Sequence, residues 1–320
     1  MSSIDEIWKQ KDLVILDGAM ATELERKGLN LNDSLWSARA LVEQPDMIKA
    51  VHYDYFVSGA DCSTSASYQA TIPGYLKSGY TKSEAESLIA RSMTLLLAAR
   101  DEWWANEGRD SGRPHPLAAA AIGPYGAFLA NGSEYTGDYT CTEEEYRAFH
   151  LPRLQILKDA GTEIFAVETL PRLDEAIACA NMLEELGCDY WLSFTFHNAR
   201  QISEGTSIEE VAAALKEGFP HLKAVGVNCT PPAFVEGIVR NFKAVSSLPV
   251  CVYPNRGEVY DAVSKTWHGS ADGKTFGNWA AEWYRAGATI IGGCCRTRPE
   301  DIKEVADWYD KESHLLHLKK

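Results

Sequence analysis

The sequence has no surplus of positive charge: 31 Lys and Arg stand against 45 Asp and Glu, a formal net charge of −14. Nucleic acids and anionic membrane surfaces select a basic face, so neither is an expected partner. Long hydrophobic runs are also missing. The nearest approach to the roughly 18 apolar residues of a membrane span is 117–130, and Gly123, Pro124 and Gly126 interrupt it. The opening MSSIDEIWKQKD is charged and lacks the apolar core of a secretory signal, so a cytoplasmic location is expected.

Several chemical signatures are absent as well. There is no GxGxxG between strand and helix, no P-loop, no GxSxG elbow, and neither HExxH nor HxH. His314 and His317 have helical spacing but lie close to the C-terminus, where a solvated helix end is expected. The longest acidic run, Glu143 to Glu145, reads as the first turn of a helix. Eight cysteines in a reducing compartment are not a disulfide framework. They are buried small side chains or ligands, and position must decide which.

What is present is a globular composition, 45% hydrophobic and 24% charged, with ample chain for a core. Strands are expected over 13–17, 61–68, 117–123, 164–169, 190–196, 224–229, 250–253 and 288–295. Most are continuous apolar runs, as in parallel strands buried on both faces. Amphipathic stretches lie between them at 83–104, 142–159, 173–186 and 208–217. Thr142 to Glu145 forms a capping box, and Pro299 suits a first helical turn. Four times a helix ends at glycine and a strand follows at once, at Gly59, Gly161, Gly187 and Gly287. Glycine closes a helix in the left-handed conformation, so four copies of one joint imply a repeated unit. The expected fold is a single (β/α)8 barrel domain spanning 1–320, with an open doubly wound sheet as the alternative. No oligomeric state is read from the sequence.

In such a barrel the C-terminal strand ends build the active site. Those ends carry Asp17, Tyr68 and Gln69, Gly123 to Tyr125, Glu168 and Thr169, Cys229, Asn255, and Cys294 with Cys295. Cys62, Cys141, Cys179, Cys188 and Cys251 fall elsewhere and read as ordinary buried or partly buried thiols. Neighbouring side chains on a strand point to opposite faces, so Cys294 and Cys295 can share one ion only if the strand breaks; Gly292 and Gly293 permit a break. Three thiolates suit zinc and leave a fourth position open, as in catalytic sites. Core thiols and a vicinal redox disulfide are the alternatives.

The segments GVNCTPP (226–232) and GGCCRT (292–297) resemble the zinc-binding signatures of the homocysteine S-methyltransferase family. The likeness extends through LDGAMATELERKG (16–28), SYQAT (67–71), GPYGAFLANGSEYTGDY (123–139), FAVETLP (165–171), VYPN (252–255) and YDAVSKTWH (260–268). It implies a zinc-dependent barrel enzyme that methylates L-homocysteine to methionine, in the branch using S-methylmethionine; S-adenosylmethionine is the alternative donor. It further implies that Cys229, Cys294 and Cys295 hold the zinc. Asp17 and Glu168 would hold the homocysteine ammonium, and the backbone around Gly18 and Ser67 would face its carboxylate. On a purely structural reading Asp17 orders the first βα turn and Glu168 caps the following helix. Thr169, where the betaine-using branch has tyrosine, argues against betaine, and Arg256 stands where a small residue is expected. Tyr125, Phe128, Tyr135, Tyr253 and Trp267 are candidate faces for a sulfonium cation, and 125–141 is a candidate lid. Outside this family, a vicinal-dithiol redox protein or a non-catalytic zinc-binding protein would use the same cysteines.

Overall fold

Eight strands form one sheet: β1 (Val14–Ile15), β2 (Cys62–Thr64), β3 (Leu117–Ile122), β4 (Ile164–Leu170), β5 (Tyr190–Phe194), β6 (Leu222–Asn228), β7 (Val250–Tyr253) and β8 (Ala288–Ile291). The computed structural model describes residues 3–29, 37–257, 259–261, 266–268 and 273–317. Neighbours are parallel throughout, in the spatial order β1-β8-β7-β6-β5-β4-β3-β2. A parallel bridge from Leu16 to Cys62 and a hydrogen bond from Asp17 N–H to the Cys62 carbonyl (3.1 Å) join the two outer strands. The sheet thereby closes into a (β/α)8 barrel.

Each strand is followed by an outer helix: α1 (Pro45–Val57), α2 (Lys82–Asn106), α3 (Glu143–Asp159), α4 (Leu173–Leu186), α5 (Ile208–Ala214), α6 (Pro232–Val245), α7 (Phe276–Ala286) and α8 (Pro299–His317). Their starts are written locally. Thr81 with Glu84, Thr142 with Glu145 and Ser207 with Glu210 form capping boxes at α2, α3 and α5. All four glycine joints have positive φ: 113° at Gly59, 100° at Gly161, 64° at Gly187 and 117° at Gly287.

Alternation along the strands divides the core in two. Val14, Leu16, Cys62, Ala119, Ala166, Trp191, Cys251 and Ile290 belong to one buried cluster, the barrel interior. Their neighbours, including Ile15, Ala118, Val167, Leu192, Val225 and Val252, pack with the outer helices. A short helix, Ile4–Trp8, adds Ile4 and Ile7 to the interior cluster and seals the N-terminal end. Among the described residues, the lumen is therefore filled below the C-terminal mouth.

Several strands stop earlier than the apolar runs suggest. Strand β2 ends at Thr64 rather than Tyr68, and β8 ends at Ile291, so Cys294 and Cys295 lie beyond it. Strand β6 ends at Asn228, one residue before Cys229. After β5, Phe196–Asn198 turns to pair antiparallel with Gln201–Ile202. At β2, β6 and β8 the chain leaves the ladder just before residues that line the mouth, among them Tyr68, Cys229, Cys294 and Cys295.

Interior space is tight at one strand crossing. A Cβ on Gly226 would lie 1.8 Å from the Cys251 carbonyl oxygen, which is backbone and cannot swing away. Gly226→Ala is expected to cost more than about 3 kcal/mol, above the usual penalty for overpacking. Denaturant unfolding checks this; a stability loss under about 1 kcal/mol would show that β6 and β7 are free to separate.

Candidate active site at the mouth of the barrel

Three sulfurs meet above strands that are not adjacent. Cys229 follows β6, Cys294 and Cys295 follow β8, and β7 runs between them. The backbone past β7 is clamped by both cysteine segments: Cys229 N–H donates to the Tyr253 carbonyl (3.2 Å), Cys294 N–H to that of Pro254 (2.8 Å), and Arg256 N–H to that of Cys295 (3.1 Å). The Cys229 sulfur lies 2.7 Å from that of Cys294 and 3.4 Å from that of Cys295. All three fall within 4.8 Å of one another. Hydrogen bonds from Cys294 and Cys295 hold the Cys229 thiol well below its usual range, while the other two are held above theirs.

Gly292 and Gly293 are present because of crowding, not left-handed backbone. A Cβ on Gly292 would lie 2.5 Å from that of Leu16, and one on Gly293 2.2 Å from Thr297 Oγ1. The left-handed residues are instead Cys229 (φ 46°), Thr169 (φ 62°) and Arg296 (φ 71°), none of them glycine. Strained backbone of this kind persists only where surrounding contacts enforce it. Asn228 supplies such contacts. Its Oδ1 accepts from Thr169 N–H (2.7 Å) and Ser193 Oγ (2.6 Å), and its Nδ2 donates to Thr169 Oγ1 (2.7 Å). This buried amide fixes the irregularity in β4 at Glu168 and Thr169 and the turn into Cys229 together.

Asp17, Gly18, Glu168, Cys229, Cys294 and Cys295 all border one pocket, with about 790 Å³ of empty space that is partly open to solvent. Asp17 also does the structural work expected of it, since its Oδ2 accepts from Ser63 Oγ (2.6 Å) and Thr64 N–H (2.8 Å) across the β1–β2 seam. Burial nevertheless pushes its pKa up to about 7. Glu168 caps no helix: α4 begins after Arg172 with no side-chain cap. Its carboxyl is pushed up to about 8, by burial first and then by Asp17 and Cys229, against a hydrogen bond from Tyr253. Tyr253 in turn accepts from the Trp191 indole (3.0 Å) inside the barrel.

Ser67 is not on the pocket wall; its hydroxyl donates to the Ala121 carbonyl (2.7 Å), and Ser65, Ala66 and Tyr68 border the pocket around it. Of the candidate aromatics, Tyr135 and Tyr253 line the pocket. Tyr125 and Phe128 pack on Phe149 instead, with ring centroids 5.1 and 5.4 Å apart. The side chains of Trp267, His314 and His317 lie outside the described residues, as does part of the 260–268 motif. Asn255 turns back on its own loop, accepting from Gly257 N–H (3.0 Å). Arg256 points away to Asp301 in α8 (2.9 Å), which explains why its size is tolerated. Cys62, Cys179 and Cys251 are buried, Cys141 and Cys188 partly so, and none joins the cluster.

The segment after β3 reaches over this pocket. It contains two short helices, Tyr125–Leu129 and Ser133–Tyr135. Glu175 of α4 pins both ends, accepting from Tyr125 N–H (2.6 Å) and from the Tyr139 hydroxyl. Glu175 is buried on His150 Nε2 (2.7 Å), and Arg153 bonds His150 Nδ1 (2.7 Å) and the Gly123 carbonyl. With Arg153 donating to Nδ1, the imidazole is the neutral Nε2–H tautomer, consistent with burial lowering its pKa. The two turns deliver Glu134 and Tyr135 to the pocket, the Tyr135 hydroxyl lying 3.8 Å from the Cys229 sulfur.

A closed parallel barrel whose mouth holds clustered thiols and buried carboxylates defines a (β/α)8 enzyme with a cysteine centre able to bind a metal ion. The chain belongs to the homocysteine S-methyltransferase family: the model of that family matches residues 14–309. It is 48% identical over 309 residues to the homocysteine S-methyltransferase YbgG of Bacillus subtilis, covering 96% of this chain and 98% of that one. Identity to the homocysteine S-methyltransferase of Escherichia coli is 45% over 295 residues, 92% of this chain and 94% of the relative. The crystal structure of the metallated form of the homocysteine methyltransferase MmuM from Escherichia coli superposes with a TM-score of 0.85. That match has 40% identity and covers 94% of this chain and 98% of that one.

Glu168 provides a pH test of this electrostatic picture. Its pKa rises from an ordinary 4.5 to about 8 on folding, so the folded chain binds more protons than the unfolded one between those values. Its burial therefore costs more stability as pH rises through this window. In metal-free protein, Glu168→Gln is expected to gain stability over wild type as pH increases from 6 to 8.5. Melting temperatures across that range test it, and a difference independent of pH would contradict the shift.

Proposed function

We propose that the protein transfers a methyl group from S-methylmethionine to L-homocysteine, yielding two molecules of methionine, with one zinc ion held by Cys229, Cys294 and Cys295. The observation that carries this reading is the trithiol cluster facing Asp17 and Glu168 across one pocket. The donor set fits zinc: three soft sulfurs, all within 4.8 Å of one another, near enough to share one ion. A zinc ion held there would lower the pKa of a bound substrate thiol, so that its thiolate would be available at neutral pH.

The chain's own residues then have distinct tasks. Asp17 and Glu168 receive the homocysteine ammonium, which returns both carboxyls to the ionised form that burial opposes. The backbone at Gly18 and beside Ser67 faces the substrate carboxylate. Asn228 holds Cys229 and Glu168 in register, so that sulfur and ammonium sites keep a fixed separation. The segment 125–141 covers the pocket and limits water. In the transfer, the homocysteine sulfur forms a bond to the donor methyl carbon as the sulfonium C–S bond breaks and its electron pair returns to the leaving methionine. The homocysteine thiol proton passes to solvent, and no redox partner is needed.

The rest of the reading follows from the same features. No described helix is long and apolar enough to cross a membrane. We place the protein in the cytoplasm, as one barrel domain spanning the chain, with small-molecule substrates and no nucleic-acid or membrane partner. The barrel has a full hydrophobic interior without the metal, so chelation should leave it folded.

Methionine formation from homocysteine, with S-methylmethionine and S-adenosylmethionine in parallel, tests the proposal on zinc-loaded and zinc-stripped protein. Zinc-dependent turnover favouring S-methylmethionine is expected, with far-UV circular dichroism unchanged on stripping. Turnover with S-adenosylmethionine alone would overturn the donor. Silence with both in folded, zinc-loaded protein would overturn the reaction, and point to dithiol redox chemistry or zinc binding without catalysis.

A further inference from the structure

The pocket holds a third carboxyl that homocysteine does not need. Glu134 sits in the turn Ser133–Tyr135 and lines the pocket with Tyr68, Tyr135 and Cys229. Its Oε2 is sealed from solvent and has no hydrogen-bond partner. By contrast, Oδ2 of Asp17 is occupied by Ser63 and Thr64, and Glu168 has Tyr253. The position of Glu134 is set by backbone: Thr195 Oγ1 donates to its carbonyl (3.0 Å), and its amide packs 2.8 Å from where a Cβ on Gly126 would stand. The next residue, Tyr135, touches the Cys229 sulfur. The carboxyl is therefore held over the thiol end of the pocket.

Charge counting then points to a cation. Asp17, Glu134 and Glu168 border the pocket, and no Lys, Arg or His is among the described residues lining it. The Glu134 carboxyl takes a hydrogen bond from its own residue's N–H, but Oε2 has none, and a sealed carboxylate oxygen without a partner is costly unless a ligand supplies the opposite charge. Homocysteine brings one ammonium, for which two carboxyls already stand opposite the cluster. S-methylmethionine brings a sulfonium as well as an ammonium of its own, and of the two it is the sulfonium that must lie next to the accepting sulfur, at the end of the pocket where Glu134 stands, for an in-line transfer. We propose that Glu134, flanked by the rings of Tyr68 and Tyr135, receives the sulfonium of the methyl donor. This rests on the methyl-transfer reading above. The two tyrosines present polarisable rings to the S-methyl groups, and the carboxylate supplies the charge.

The electronics of the step predict how such a residue acts. Sulfonium charge is full in the bound donor and fades as the methyl leaves. A carboxylate beside it therefore holds the ground state more strongly than the transition state. Glu134 is a binding residue, to be seen in the donor KM and not in kcat. A merely structural residue would lower kcat or disturb both substrates.

The test uses the full-length, zinc-loaded enzyme. For Glu134→Gln, the KM for S-methylmethionine is expected to rise about tenfold or more, with kcat undiminished and the homocysteine KM within about twofold of wild type. An unchanged donor KM, a rise falling on homocysteine instead, or a fall in kcat with KM preserved would each overturn the assignment. If that variant does not fold, Glu134→Asp keeps the charge but withdraws it by one methylene; it must raise the donor KM alone, and an unchanged donor KM overturns the proposal. Wild-type turnover with an insensitive Glu134 would sink this inference only, whereas absence of wild-type turnover would sink the reading beneath it.

Discussion

Everything at the mouth depends on bringing sulfurs from β6 and β8 together across the end of β7. Parallel neighbours in a sheet lie nearly 5 Å apart, so strands on either side of a third are too distant for their side chains to meet without help. Three features close the gap. Gly226 lets β6 press onto the Cys251 carbonyl. Gly292 and Gly293 let the chain after β8 fold onto Leu16, Asp17 and Thr297. Left-handed backbone at Cys229 then turns its side chain inward. The backbone past β7 is consumed in hydrogen bonds to both cysteine segments, so the cluster and the barrel rim are one construction.

The second constraint is electrostatic. Asp17, Glu134 and Glu168 each sit where burial raises the carboxyl pKa, to about 7, 7 and 8. Such a pocket is under tension when empty and is relieved by cationic ligands. This also gives a physical reason for the polar scaffolding below. The chain Trp191–Tyr253–Glu168 and the amide of Asn228 keep the carboxyl aimed at the pocket, although its own charge would favour escape to water. The loop that completes the wall is held from beneath by a buried Glu175–His150–Arg153 group, and from the side by Thr195 and Arg172.

The barrel was legible because each βα unit repeats the same local rules: an apolar strand, a capping residue, a closing glycine. The three clustered cysteines were legible because, of the eight, they alone fall just past strand ends. Other parts depend on tertiary neighbours that no local pattern encodes. Asn228 is a single polar residue at the end of an apolar run, and its role exists only because Thr169 and Ser193 lie on the next strands. His150 and Arg153 share the helix face of Tyr146, Phe149, Leu154 and Leu157, but only the position of Glu175 on the next helix turns these two polar residues into an anchor. Glu134 lay within a recognised motif, but its significance is an unpartnered oxygen that appears only in three dimensions. The same cause moved the strand ends: apolar composition continues through 294–295, whereas the backbone has already left the ladder at Gly292.

The central claim is that Cys229, Cys294 and Cys295 hold one metal ion between them. Metal content of the purified, reduced protein, measured by mass spectrometry alongside the three single Cys→Ser variants, tests it most directly. The account predicts one zinc per wild-type chain and loss of most of it in each folded variant. Wild-type protein that takes up no stoichiometric zinc when offered it, or a Cys229→Ser variant that keeps a full complement, would contradict it.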